Sequence, residues 1–176
     1  VAGQRGRTDP GSLVTHPRPS PRHAGTQNNL SASITPGNQW GRGGPGGWVF
    51  FSEPELHLGR NVVVPDLAGW RRERLPTLPS TAYFDLAPDW VCELLSDATE
   101  QYDRNAKRAI YAEAGVAFLW LLDPRAKLLE VFQLTAGLWL LTQTFTGNDE
   151  VRGQPFEATP FPLSQLWPLD QPTPES

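Results

Sequence analysis

Two apolar runs of strand length, Val91 to Leu95 and Val116 to Leu122, flank a segment of helical character, and this alternation limits the folds open to the chain. Ser96-Asp97-Ala98-Thr99 supplies capping side chains. A helix is expected from about Glu100 to Ala114, stopped by Gly115 at the position where a helix end favours glycine. A strand, a crossover helix and a second strand make a parallel pair. The runs that follow are joined by short turns instead. Asp123-Pro124-Arg125-Ala126-Lys127 is a turn, Leu128 to Leu134 pairs back as a strand, and Leu138 to Phe145 completes a meander of three. One parallel step inside an otherwise antiparallel pattern predicts a mixed α/β sheet.

Upstream, Trp48 to Phe51 and Glu55 to Leu58 have strand character, the second with period-two alternation. Val62 to Asp66 is a third strand, and the turn Gly59-Arg60-Asn61 predicts a hairpin between the last two. Residues 24–39 form a weak amphipathic helix with Leu30 and Ile34 four apart, diluted by Asn, Ser, Thr and Gly. Residues 1–23 read as irregular, and Gly41 to Gly47 as a loop. No Gly-Lys-Ser/Thr follows these glycines, so they are not assigned to a phosphate cradle. Trp70 to Pro76 opens a long basic excursion that ends near Pro88. A short helical piece is expected at Leu163–Leu166.

A length of 176 residues allows one domain with a substantial core. The net charge of −4 argues against non-specific coating of nucleic acid. The charge is uneven, with five arginines and one acid in residues 1–50 against ten basic and eighteen acidic residues in 51–176. The single cysteine, Cys92, rules out an internal disulfide and a Cys-based zinc site. No apolar run approaches the length of a membrane span and no signal peptide is visible, so a cytoplasmic, bacterial-type protein is expected. The chain starts on Val and contains no Met, which suggests a missing or altered start.

Chemistry enters through two acids. Val62-Val63-Val64-Pro65-Asp66 ends on one, and Trp90-Val91-Cys92-Glu93-Leu94-Leu95 encloses the other. A carboxylate in an apolar strand is costly unless paired or bound to a cation. Mg²⁺ takes one or two carboxylates plus water and phosphate oxygens. Asp66, Glu93 and the backbone carbonyl of Leu94 are therefore expected to hold Mg²⁺ or Mn²⁺. An ion so held polarises a phosphoryl oxygen and activates water, and a nearby Lys stabilises the developing charge. Lys107, on the helix that leaves the Glu93 strand, is the candidate. Bland alternatives stand beside these roles. Asp66 could simply end a strand, Glu93 could pair with an Arg, and Asp103 with Lys107 could be a solvent-facing i,i+4 pair. Cys92 alternates with Glu93 and is expected in the core. His23 and His57 lack a matching ligand constellation.

Pro65-Asp66, Glu93-Leu94-Leu95-Ser96, the series Asp103, Lys107 and Tyr111, Gly115-Val116 and Leu121-Leu122-Asp123-Pro124 occur in an order that resembles the Uma-two family. This is a group of restriction-endonuclease-like proteins within the PD-(D/E)XK nuclease superfamily. The resemblance covers residues 17–168, including Pro17 to His23 and Leu166-Trp167-Pro168. It implies a restriction endonuclease-like mixed β-sheet flanked by helices, occupying 17–168 between an irregular lead-in (1–16) and a tail (169–176). It implies a Mg-dependent endodeoxyribonuclease with Asp66, Glu93 and Lys107 as catalytic residues. Two departures accompany it. Leu95 stands where the superfamily places its Lys, so that role passes to Lys107. Residues 1–16 do not resemble the family's opening helix and short acidic strand, which suggests an atypical or truncated N-terminus.

Glu55, Asp103 and Tyr111 are further candidates to line the cleft, and Arg71, Arg72 and Arg74 to contact DNA phosphates. DNA is the expected partner, with a second copy of the chain as a candidate for homodimer formation. Two other readings are a catalytically inactive nuclease-like domain that binds nucleic acid or a protein, and a two-carboxylate glycosidase. An inverting glycosidase would keep its carboxylates roughly 6.5–9.5 Å apart, wider than a shared ion allows.

Overall fold

The computed structural model describes residues 18–97 and 103–169, with the side chains of 103 and 104 excepted. The expected lead-in at 1–16, part of the expected cap and helix start at 98–102, and the expected tail beyond residue 169 lie outside the described residues.

Helix α1 (Pro21–Asn38) opens on Ser20, whose hydroxyl accepts the His23 backbone N–H at 3.2 Å, and has Pro at its first position. The lead-in expected as far as residue 23 therefore gives way to helix at Pro21. Asn, Ser and Thr make α1 a poor helix former on its own. It is held by burial of Leu30 and Ile34 against the sheet, both with no exposed surface. The Gly41–Gly47 loop folds back on its C-terminal end, where the Gly46 N–H meets the Gly37 carbonyl at 2.9 Å. A Cβ on Gly44 would lie 2.7 Å from that carbonyl, so close backbone packing accounts for this glycine.

The strands are β1 (Trp48–Ser52), β2 (Leu56–Leu58), β3 (Asn61–Val63), β4 (Leu67–Arg71) and β5 (Trp90–Leu94). After a helical segment come β6 (Phe118–Asp123), β7 (Leu128–Thr135), β8 (Leu138–Thr146), β9 (Glu150–Val151) and β10 (Phe161–Pro162). The main sheet has six strands in the order β1-β4-β5-β6-β7-β8. Only β5 and β6 are parallel; every other neighbouring pair is antiparallel. The mixed sheet, the three-strand meander, the β2–β3 hairpin and the short helix Leu163–Leu166 all match expectation.

The strand expected over Val62–Asp66 stops at Val63, because Pro65 has no N–H for a ladder and Asp66 sits in a bend. The chain then forms β4, a core strand where a loop was expected. Gly69 hid it, since glycine argues against strand. The Phe50 ring covers Gly69 so closely that a Cβ would lie 2.8 Å from it.

The central strands are buried on both faces, while the edge strand β8 is largely exposed. On one, α1 and the C-terminal segment cover Trp48, Leu67, Trp90, Cys92, Leu94 and Trp120. On the other lie Val91, Leu95, Leu119 and Leu121 with Tyr111 and Val116. Tyr111 belongs to α2 (Arg108–Glu113), which continues a π-helical turn, Asp103–Lys107. Gly115, at φ +77, ends it as expected.

Candidate active site

The site forms where β4 begins and β5 ends. Leu67 pairs with Cys92 across these antiparallel strands, so Asp66 stands level with Glu93. Alternation places Glu93 on the same face as Val91 and Leu95, toward Tyr111, while Cys92 and Leu94 point into the α1 side.

Asp66 is fixed from several directions. Its Oδ2 accepts the Leu94 backbone N–H at 2.7 Å. Its Oδ1 lies 2.9 Å from His23 Nε2, with both side chains 16% exposed. Its carbonyl accepts from the Gln27 side chain at 2.9 Å and the Glu53 N–H at 3.0 Å. His23 and Gln27 are four apart on the first turns of α1 and share a face. Neither was picked out as a site residue from the sequence. The signal present was Ser20-Pro21, a cap followed by Pro at the first helical position, which would have brought His23 into a helix.

Glu93 is almost fully buried, at 1% exposure. Lys107 Nζ lies 3.1 Å from each of its oxygens, and the Tyr111 hydroxyl donates to Oε1. Lys107 and Tyr111 are four apart, one from the π-helical turn and one from α2. Lys107 is itself 2% exposed and also donates to the Val64 carbonyl at 3.2 Å. The ammonium thus ties β5 to the segment leading into Asp66. Lys107 therefore does not face solvent, as the i,i+4 alternative with Asp103 had it, and the Asp103 side chain lies outside the described residues. Among the described contacts, Glu93 is partnered by a lysine and a tyrosine.

Cys92 is wholly buried between these groups. Burial pushes its thiol well above its usual range, and the carboxylates of Asp66 and then Glu93 push it further. It is a neutral core residue rather than a nucleophile.

Other candidates stand elsewhere. Glu55 pairs with His57 at 2.7 Å, and the His57 ring stacks on Tyr83. Arg71, Arg72 and Arg74 lie at the far end of β4, roughly 16 Å along the strand from Asp66. Arg71 stacks over Trp48 at 4.6 Å, and Arg74 pairs with Asp89 at 2.7 Å.

An open cleft of about 510 Å³ lies against His23, between the start of α1 and the ends of β5 and β6. Arg22 and Arg125 are on its walls. Among the described residues no group of three or more His, Cys, Asp or Glu side chains is placed to hold a metal ion. None of their helices is long and apolar enough to cross a membrane.

The order of the mixed sheet describes a nuclease-type fold. A solved protein from Anabaena variabilis ATCC 29413, described as "a putative nuclease belonging to DUF820", superposes with a TM-score of 0.72. That match spans 90% of this chain and 87% of the other at 21% identity. The model of the Uma2 family, described as "Putative restriction endonuclease", matches residues 3–163, and the chain belongs to this family. The match takes in residues before 17, which the sequence resemblance had left outside. No curated protein sequence matches the chain.

Proposed function

We propose that the protein is a Mg²⁺- or Mn²⁺-dependent endonuclease that hydrolyses DNA phosphodiester bonds at a PD-(D/E)XK-type site. The observation that carries this reading is that Asp66 stands level with Glu93 at the junction of β4 and β5, while Lys107 bonds Glu93 and the Val64 carbonyl two residues before Asp66. Family membership supports the class of reaction.

The donor set fits a hard divalent ion. Two carboxylates and the Leu94 carbonyl are all oxygen donors, and Mg²⁺ completes its octahedron with water and phosphate oxygens rather than an all-protein cage. The two Asp66 oxygens each take one hydrogen-bonding partner, His23 and the Leu94 N–H, and keep a second lone-pair direction for an ion, whereas Glu93 Oε1 accepts from both Lys107 and Tyr111. The bound ion would supply charge neutralisation at the phosphate and a more acidic water.

The protein's own residues do the rest. His23 and the Leu94 N–H fix the Asp66 carboxylate in one orientation, so little reorganisation is needed when it binds. Tyr111 fixes Glu93 in the same way. Lys107 would turn one N–H toward the phosphate as negative charge develops there. Hydrolysis adds water across one P–O bond: the water oxygen joins phosphorus, the leaving oxygen takes a proton, and phosphate and hydroxyl ends result.

One observation favours the inactive, DNA- or protein-binding alternative. Glu93 and Lys107 satisfy each other in a nearly dry site, as a purely structural pair would. Supercoiled plasmid incubated with Mg²⁺ or Mn²⁺ separates the two. The endonuclease reading expects metal-dependent nicking by the wild type and none by Asp66→Ala. Intact plasmid with both metals would favour the binding domain.

A further inference from the structure

The cleft beside His23 has no part in the scheme above, yet His23, which lines it, is the residue that contacts Asp66. Its floor is formed by the residues that follow β5, Leu95 and Ser96. One wall is the first turn of α1, where Ser20, Arg22 and His23 stand; the other is the turn after β6, where Pro124 and Arg125 stand. The parallel pair β5–β6 brings these turns together, since both strands end on the same side of the sheet.

The charges there are unequal in their commitments. The His23 ring is 2.9 Å from Asp66. Arg125 contacts Asp97 Oδ1 and lies 3.6 Å from Asp123 Oδ1. Asp97 is 86% exposed and Arg125 41%, so the first contact is a surface pair worth about 0–1 kcal/mol, which a ligand can replace at little cost. Arg22 is exposed on the first turn of the 18-residue helix α1, where the helix dipole adds a positive potential. The sequence stretch Pro17 to His23 thus places a guanidinium one residue from the imidazole on Asp66.

We infer that Arg22 and Arg125 grip one backbone phosphate of the DNA strand, adjacent to the phosphate at Asp66, from opposite walls of this cleft. The inference rests on the endonuclease reading for the position of the cut. A guanidinium fork matches phosphate oxygens in pairs, and two forks on one phosphate set the register of the strand across the β4–β5 junction. Both act as positioning residues. Neither side chain touches the scissile bond.

Salt dependence tests this. A fluorescein-labelled DNA duplex is titrated with protein without divalent metal at several salt concentrations, and plasmid nicking with Mg²⁺ is measured in parallel. Each phosphate contact contributes about 0.9 to the slope of log affinity against log salt. Arg22→Ala and Arg125→Ala are each expected to lower the slope, and the double variant by no more than about 0.9 in all, because the two share one phosphate. Arg22→Lys is expected to keep the slope and weaken binding, since charge stays while the fork is lost. Thermal melts check that the exposed substitutions leave the fold intact. Unchanged slopes, or two independent decrements in the double variant, overturn the shared clamp even if the wild type cuts plasmid. Slope changes as expected without nicking would sink the endonuclease reading and leave the clamp standing. A wild type that neither binds nor cuts overturns both.

Discussion

The two ends of β4 carry charged clusters of similar composition and opposite character. At the Asp66 end, Glu93 and Lys107 are each about 2% exposed and meet at 3.1 Å. At the Arg71 end, Arg74 is 39% exposed and meets Asp89 at 2.7 Å. The shorter contact is the weaker one in consequence. Water screens Arg74 and would solvate it if Asp89 were gone, whereas buried Lys107 is shut off from water that could take the place of Glu93. Distance alone does not rank ion pairs; the medium does. The chain therefore keeps its strict geometry at the end where β3, β4, β5 and the helix after β5 converge.

The largest effects are expected from breaking the buried pair. Glu93→Ala would strand the Lys107 ammonium and cost about 3–5 kcal/mol of stability. Lys107→Ala would strand the carboxylate at similar cost and lower the cleavage rate at least about a hundredfold. Urea melts and plasmid nicking read the two losses separately. Replacing the trio together, with Glu93→Leu, Lys107→Met and Tyr111→Phe, is expected to restore most of the stability and none of the activity. A Glu93→Ala protein as stable as wild type would remove the contrast between the two ends.

Asp66 should fall between the extremes, being part-exposed but charged and doubly bonded. Asp66→Asn keeps the shape and loses charge-assisted bonds to the Leu94 N–H and His23, at a cost of about 1.5–3 kcal/mol. Calorimetry should show Mg²⁺ binding lost in this variant. His23→Ala, which leaves the carboxylate present but less fixed, is expected to retain weakened metal binding. Equal metal affinity in wild type and Asp66→Asn would count against the proposed ligand set.

What could be read from the sequence follows the same division between local and tertiary causes. Glu93 was legible because a carboxylate among Val91, Cys92, Leu94 and Leu95 must have a partner. The β5–β6 crossover was legible because apolar runs, cap and glycine all agree. Lys107 and Tyr111 share a helical face by spacing, but only the family resemblance pointed that face at Glu93. His23 and Gln27 were not legible, because α1 is helical through what Leu30 and Ile34 bury and not through its own propensities. β4 was missed because Pro65 and Gly69 both argue against strand locally, while Phe50 requires the glycine. Arg22 and Arg125 stand about a hundred residues apart, and only the parallel pair brings their turns to one cleft.

Cys92 offers a smaller probe of the buried end. Its usual thiol value is 9.0, and burial with two neighbouring carboxylates raises it in the folded state. Below pH 9.0 the thiol is protonated whether the chain is folded or not, so it adds no pH dependence. Above that, the unfolded chain releases this proton and the folded chain keeps it. The unfolded state then binds fewer protons, and stability should fall by about 1.4 kcal/mol per pH unit until the folded thiol ionises. Cys92→Ala lacks this slope. Urea melts of both proteins on either side of pH 9.0 should show the gap between them changing only on the alkaline side.

The smallest effect belongs to the exposed end. Arg74→Ala removes the contact to Asp89 and one bond to the Ala87 carbonyl at 3.2 Å, and should cost no more than about 1 kcal/mol. Added salt should shrink that cost further, since the pair is screened over a Debye length of about 8–10 Å. Asp89→Ala should cost more than Arg74→Ala, although the same ion pair is lost. Asp89 Oδ2 also accepts the Arg71 backbone N–H at 2.8 Å, and its side chain is only 15% exposed. Removing it deprives a strand-end donor of its partner; removing Arg74 leaves Asp89 with that bond intact. A double-mutant cycle in urea isolates the pair itself, and a coupling below about 1 kcal/mol is expected. Coupling of several kcal/mol, insensitive to salt, would show that this end of β4 is as constrained as the Asp66 end, and the contrast between them would fail.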